Sequence, residues 1–192
     1  MSKEKVIIYA DGACSGNPGK GGWCSILKHG NQEKILKGSE GFTTNNRMEL
    51  SAVIEGLNAL KRPVDVVVIT DSEYVVNGFT KGWIKKWTKN GWKSNNGPVK
   101  NKELWMRLKS LVDKQESVEF QWTRGHDDNE INNRCDEIAQ RLAGSNTGKS
   151  RIGFICMSHN DILVIIEGLS TEEIKHKPKC PVCGKDMSVQ QT

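Results

Sequence analysis

Two short runs rich in β-branched residues, at 6–10 and 64–70, constrain this chain more than any other feature, because each leads straight into an acid. A strand that is apolar on both faces must be covered on both, so each run belongs inside a sheet with helices packed against it. The first ends at Asp11-Gly12 and the second at Asp71-Ser72, which puts both acids at strand ends. Segments 22–27 and 33–41 read as two further strands, joined by a turn at 29–31. From Asn45 the period changes: Met48, Ala52, Val53, Leu57 and Leu60 recur at helical spacing until Pro63 closes the segment. A short helix from Ser72, a basic tryptophan-rich stretch, a helix over 102–114, a strand over 118–122, a loop at 125–129 and a helix over 132–142 complete the pattern. A meander of three strands followed by strand–helix alternation predicts an α/β fold, a mixed sheet with helices on its faces.

Charge is concentrated in one place. Of 28 basic and 23 acidic residues, segment 79–109 holds nine basic side chains and only one acid, Glu103. Trp83, Trp87, Trp92 and Trp105 lie in the same stretch. Lysines release counterions from phosphates and indoles offer flat faces to sugars and bases, so this combination suits nucleic acid. A solvated lysine face over a tryptophan-stapled helical hairpin accounts for it equally well. The longest apolar runs fall far short of the ~18–20 residues of a membrane span. The N-terminal stretch has no apolar core of the length a signal peptide needs. A cytoplasmic location and no membrane partner are expected.

Four acids stand among apolar neighbours: Asp11, Glu49 early in the first helix, Asp71, and Asp136 in the last helix. Each is explicable as a cap or an exposed turn acid. Ligand sites of α/β folds nevertheless lie at the carboxyl edge of the sheet. If the two buried strands are neighbours, Asp11 and Asp71 converge there, and clustered carboxylates call for a divalent cation.

The residues around these acids form an ordered series: Asp11-Gly-Ala-Cys-Ser-Gly-Asn-Pro-Gly19, Thr43-Thr-Asn-Asn-Arg-Met-Glu49, Thr70-Asp-Ser72, Gly91-Trp-Lys93, Val99-Lys-Asn-Lys102, Gly125-His126 and Arg134-Cys-Asp-Glu137. In order and spacing this series resembles type I ribonuclease H of the bacterial kind, over residues 4–143. The resemblance implies a five-stranded mixed sheet and endonucleolytic hydrolysis of the RNA strand of an RNA–DNA hybrid, leaving 3′-hydroxyl and 5′-phosphate ends. It also implies a monomer, with Asp11, Glu49, Asp71 and Asp136 holding two Mg²⁺ ions, for which Mn²⁺ can substitute. Asp11 would bridge the metals, and His126 would assist proton transfer or product release. Cys14, Asn17, Asn45 and Asn46 match positions that contact the RNA strand, Asn45 and Asn46 otherwise being simple helix-start residues. Trp83 and Trp87 match a channel for the DNA strand, and Thr44 and Asn101 match a pocket for a DNA phosphate. Phe42, Glu73 and Asn133 depart from the family pattern, where Arg, a neutral residue and Glu are frequent. A catalytically silent hybrid-binding module and another nuclease or strand-transfer enzyme of the same fold are the competing readings. The four acids oppose the first, and the amide and tryptophan positions oppose the second.

After residue 143 the composition shifts. Segment 144–151 reads as a linker and 152–192 as a small appendage. Cys180-Pro-Val-Cys183 and Cys156-Met-Ser-His159 share one spacing, which fits a tetrahedral Zn²⁺ ribbon of Cys156, His159, Cys180 and Cys183. His176 is an alternative fourth ligand. About 40 residues need such a staple to fold alone. A ribbon of this kind adds affinity for the hybrid or recruits a protein, and the sequence leaves both open.

Overall fold

The structure is a computed structural model that describes residues 5–94, 97–124, 129–144, 151–156, 159–167, 179, 183, 185–186 and 188–190. It divides into two units, Met1–Ser145 and Asn146–Thr192.

The first unit is built on strands β1 (Val6–Gly16), β2 (Gly19–His29) and β3 (Gln32–Thr43), helix α1 (Asn45–Asn58) and strand β4 (Asp65–Thr70). Helices α2 (Glu73–Thr80) and α3 (Trp83–Lys89) follow, then a two-residue pair of strands, β5 (Lys93–Ser94) and β6 (Gly97–Pro98). Helix α4 (Lys102–Val112), strand β7 (Ser117–Trp122) and helix α5 (Glu130–Ala143) end the unit. The five-stranded sheet has the order β3-β2-β1-β4-β7. Strands β3, β2 and β1 are antiparallel, whereas β1, β4 and β7 run parallel, so the two apolar runs are the interior neighbours that their composition demands.

Alternation along β1 divides the core. Ile8 and Ala10 join Val66 and Val68 in a cluster under α1 and α4, which includes Leu50, Val53, Leu57 and the fully buried Trp105. Tyr9 faces the other side, where Cys24 and Ile26 cluster with Cys135 and Ala139 of α5.

One expectation needs correction. Asp11 is not at the end of its strand, because β1 continues through Gly16 as one arm of a hairpin in which Asp11 pairs with Cys24 of β2. Parallel pairing with β4 ends earlier, at Tyr9 and Ile69. Asp11 therefore still lies at the carboxyl edge of β4, beside Asp71. Other boundaries move by a few residues: α4 stops at Val112, and α5 starts at Glu130 because the Asn129 side chain caps it by accepting from the Asn132 amide at 3.2 Å. Cys14 belongs to β1.

The second unit is a three-stranded antiparallel sheet, β10-β8-β9, of β8 (Arg151–Cys156), β9 (His159–Glu167) and β10 (Ser188–Gln190). Arg151, expected in the linker, already pairs with Glu167, and β9 begins at His159. Cys156 and His159 are backbone partners at the end of this hairpin. Lys179 and Asp186 form an isolated antiparallel bridge, with Cys183 in a turn between them. Cys180 and His176 lie outside the described residues.

Candidate active site

Glycines decide how near the helices come to β1. A Cβ at Gly12 would lie 2.3 Å from the Glu49 amide nitrogen and from the Met48 carbonyl carbon. The first turns of α1 thus rest directly on the backbone beside Asp11, and that contact delivers Glu49 to it. On the opposite face, a Cβ at Gly22 would lie 2.4 Å from the Ala139 carbonyl oxygen. This close approach seats α5 and with it Asp136. Asp71 follows the last residue of β4, Thr70.

As a result Asp11, Glu49, Asp71 and Asp136 line one cleft, together with Cys14, Asn45 and Gln140. Glu49 is held at both oxygens: the Asn45 side-chain amide donates to Oε1 at 2.8 Å and the Ser72 hydroxyl to Oε2 at 2.5 Å. Ser72 in turn caps α2 by accepting from the Val75 amide at 3.3 Å. Gln140 donates from Nε2 to Asp136 Oδ1 at 2.6 Å. The exposed indole of Trp122 donates to the backbone oxygen of Asp71 at 3.0 Å. Gln140 and Trp122 escaped the sequence reading. The signals for them were the i,i+4 spacing to Asp136 and the position of Trp122 at the end of the strand next to β4.

Asp11 is only 5% exposed, and its Oδ2 has no hydrogen-bond partner among the described residues. Burial, then the charges of Asp71 and Asp136, push its pKa up to about 9, against a lowering hydrogen bond at Gly12. Burial also raises Glu49, as does Asp71, while the bonds from Ser72 and Asn45 lower it. A buried carboxylate oxygen without a donor, inside a set of hard oxygen ligands, fits a divalent cation. Among the described residues no three His, Cys, Asp or Glu side chains close on a single ion.

The remaining expected residues form two further groups. At the mouth of the cleft, Asn17 Oδ1 accepts from the Asn45 amide at 3.3 Å, and the Cys14 thiol points to the Thr43 carbonyl oxygen at 3.5 Å. Thr44 precedes α1 without capping it through its side chain, and Asn46 is exposed. Away from the acids, Tyr74 organises the other group. Its hydroxyl accepts from Trp105 Nε1 at 2.9 Å and from Asn101 Nδ2 at 3.5 Å, and its ring lies 6.5 Å from Trp83. Trp83 is in turn 5.9 Å from Trp87, which packs edge-on against buried Trp105 at 5.5 Å. Trp105 and much of Trp87 therefore serve packing. Phe42 is 77% exposed and Glu73 is exposed on the first turn of α2. His126 falls outside the described residues.

Comparison with known proteins agrees with this geometry. The family model for RNase H matches residues 3–144. Ribonuclease H of Caldicellulosiruptor saccharolyticus is 53% identical over 140 residues, which cover 72% of this chain and 96% of that protein. Ribonuclease H of Acetivibrio thermocellus is 52% identical over 147 residues, 76% of this chain and 99% of that protein. Among solved structures, LC9-RNase H1, described as a type 1 RNase H with the type 2 active-site motif, superposes with a TM-score of 0.66 at 32% identity, covering 77% of this chain and 75% of that one. With its five-stranded mixed sheet and its acid-lined cleft, the chain belongs to the ribonuclease H family.

Proposed function

We propose that the chain is a type I ribonuclease H that cleaves the RNA strand of RNA–DNA hybrids at the Asp11 cleft, leaving 3′-hydroxyl and 5′-phosphate ends. The observation that carries this reading is the buried Oδ2 of Asp11, without a hydrogen-bond partner among the described residues, within a cleft of four acids. Divalent metal ions such as Mg²⁺ belong to this family's chemistry. Asp11, Glu49, Asp71 and Asp136 would hold two Mg²⁺, with Asp11 as the shared ligand and Mn²⁺ as a substitute. Bound there, the ions supply charge neutralisation and water activation at a scissile phosphate.

The protein's own groups do the rest. Asn45 and Ser72 fix the Glu49 carboxylate, so that its orientation costs no reorganisation when substrate arrives. Asn17, Asn45 and Asn46 supply donors and acceptors at the cleft mouth, which suits a 2′-hydroxyl that both donates and accepts, and Cys14 lies beside them. The Tyr74-centred group of Trp83, Trp87 and Asn101, with Thr44, receives the DNA strand, flanked by the exposed Lys85, Lys86 and Lys89. His126 assists proton transfer or product release.

The test is incubation with Mg²⁺ and labelled RNA–DNA hybrid, double-stranded DNA or double-stranded RNA, for wild type and Asp11→Asn. Cutting confined to the RNA of the hybrid, and lost in the variant, is expected. Equal cutting of double-stranded DNA, or an undiminished variant, overturns the reading.

For the second unit the reading is a Zn²⁺ ribbon held by Cys156, His159, Cys180 and Cys183, forming an appendage to a monomeric cytoplasmic enzyme whose catalytic domain spans 1–143. Two observations support it: Cys156 and His159 are register partners at a hairpin end, and the Lys179–Asp186 bridge encloses the Cys180–Cys183 spacing. Such a ribbon adds a contact to the hybrid or to a protein partner. Zinc measured in protein purified without chelator should be present in wild type and depleted in Cys180→Ser. Wild-type protein without zinc discards the site. Among the described residues, no helix is long and apolar enough to cross a membrane.

A further inference from the structure

We infer that Gln140 is a positioning residue that holds the carboxylate of Asp136 for metal binding, an inference that rests on the cleft reading above. Gln140 lies one turn after Asp136 on α5, and its side chain lines the same cleft as the four acids. Its Nε2 donates to Asp136 Oδ1 at 2.6 Å. At i,i+4 on a helix this contact is local and does not depend on a loop closing. Asp136 is half-buried and lines the cleft beside Asp11, Glu49 and Asp71. Gln140 supplies a donor there without supplying charge. A lysine or arginine at this position would also donate, but it would place a cation beside the carboxylate and compete with the metal. The neutral amide fixes Asp136 Oδ1 and keeps the full charge of the carboxylate for an ion, the role that partners of metal-ligating carboxylates fill in general. Glu49 shows the same arrangement on the other side of the cleft, where Asn45 and Ser72 orient it through uncharged donors. Gln140 at Asp136, and Asn45 and Ser72 at Glu49, are all uncharged donors.

The experiment is a calorimetric titration of the full chain with Mg²⁺, no nucleic acid present, for wild type, Gln140→Met, Gln140→Glu and Asp136→Asn. Methionine keeps the length and helix propensity of glutamine and removes its amide. Gln140→Met should weaken Mg²⁺ binding roughly ten-fold, with kcat recovering at saturating Mg²⁺ and the KM for hybrid unmoved. The thermal midpoint of the metal-free protein should stay within about 2 °C, since the contact is a single half-exposed hydrogen bond. Gln140→Glu separates positioning from charge: loss of the donor weakens Mg²⁺ binding, whereas a site that responds to charge alone binds it more tightly. Tighter binding by Gln140→Glu, or unchanged binding by Gln140→Met beside a weakened Asp136→Asn, overturns the inference and leaves the cleft reading standing. Unchanged binding by Asp136→Asn overturns both. If Gln140→Met fails to fold, the Gln140→Glu comparison decides alone.

Discussion

Asp11 is the residue at which stability and function conflict most directly. Its carboxyl is buried beside Asp71 and Asp136 and keeps its proton up to about pH 9 in the metal-free protein. The folded pKa is raised above the ordinary value of 3.8, so the native state binds more protons than the unfolded one between those limits. Its contribution is therefore complete below about pH 4 and is lost progressively as the pH rises toward 9. Asp11→Asn, which cannot ionise, should make the chelator-treated protein more stable than wild type at pH 7 by roughly 1–3 kcal/mol, the scale of an unsatisfied buried polar group. Urea unfolding at several pH values checks this. The advantage should widen from pH 4 to 9 and shrink when Mg²⁺ is added, because the ion binds wild type, with all four acids, more tightly than the variant. The Trp122 indole poses a second, separable case. Trp122→Phe keeps an aromatic ring but removes the donor to the Asp71 carbonyl. A kcat lowered by about three- to ten-fold, with the far-ultraviolet spectrum and hybrid KM unchanged, is the expected outcome; the loss of one hydrogen bond of ~1 kcal/mol sets that scale.

Between elements, function depends on two backbone approaches, α1 onto Gly12 and α5 onto Gly22. Gly12→Ala would force a methyl against main-chain atoms of Met48 and Glu49, which cannot rotate away. A shift of α1 should cost about 1–3 kcal/mol in urea unfolding and displace Glu49, so activity at fixed Mg²⁺ should fall more than the folded fraction does. This level also shows what the sequence could and could not reveal. The burial of β1 and β4 inside a sheet was readable because both runs are apolar on both faces, and α1 because Met48, Val53 and Leu57 keep helical spacing, whereas the pairing of β1 with β4 entered the sequence reading only as a condition. The continuation of β1 past Asp11 was not, since residues 11–16 are small and polar and enter the strand only through pairing with β2. The four acids were found from their neighbours and from the family series, but Gln140 was not, because a glutamine on an exposed-looking helix turn carries no period of its own. The tryptophans read alike in sequence. Only packing around Tyr74 separates Trp105, fully buried, from Trp83, half-buried at the surface.

Across the catalytic unit the charges sort into structural and free-facing sets. Arg107 is paired with Glu55 at 2.8 Å and Arg47 with Glu103 at 2.5 Å, two ion pairs that join α4 to α1. Lys109 pairs with Asp113 along α4. The single acid of the basic segment is thus engaged with a residue outside it, and exposed lysines lie on α3 and its flanks, at Lys81, Lys85, Lys86, Lys89 and Lys93, and at the start of α4, at Lys100 and Lys102. This patch and the acid cleft impose opposite requirements, one for phosphates and one for cations. Ionic strength should separate them, because counterion release governs the first while the second is buried and screened less. Replacing Lys85, Lys86 and Lys89 together by serine should raise the KM for hybrid about ten-fold near 0.1 M salt and leave kcat within two-fold. The slope of log KM against log salt should flatten by up to about three, close to one unit for each phosphate that no longer meets a lysine. Replacing Lys34 and Lys37 of β3, which are equally exposed but lie on the far edge strand, serves as the control and should move neither quantity. Equal effects from the two sets would mean that the net charge of the protein, and not the α3 patch, draws in the hybrid. A selective effect with an unchanged Mg²⁺ requirement would separate the two fields, with the grip on the duplex on α3 and the cutting chemistry at the carboxyl edge of β4.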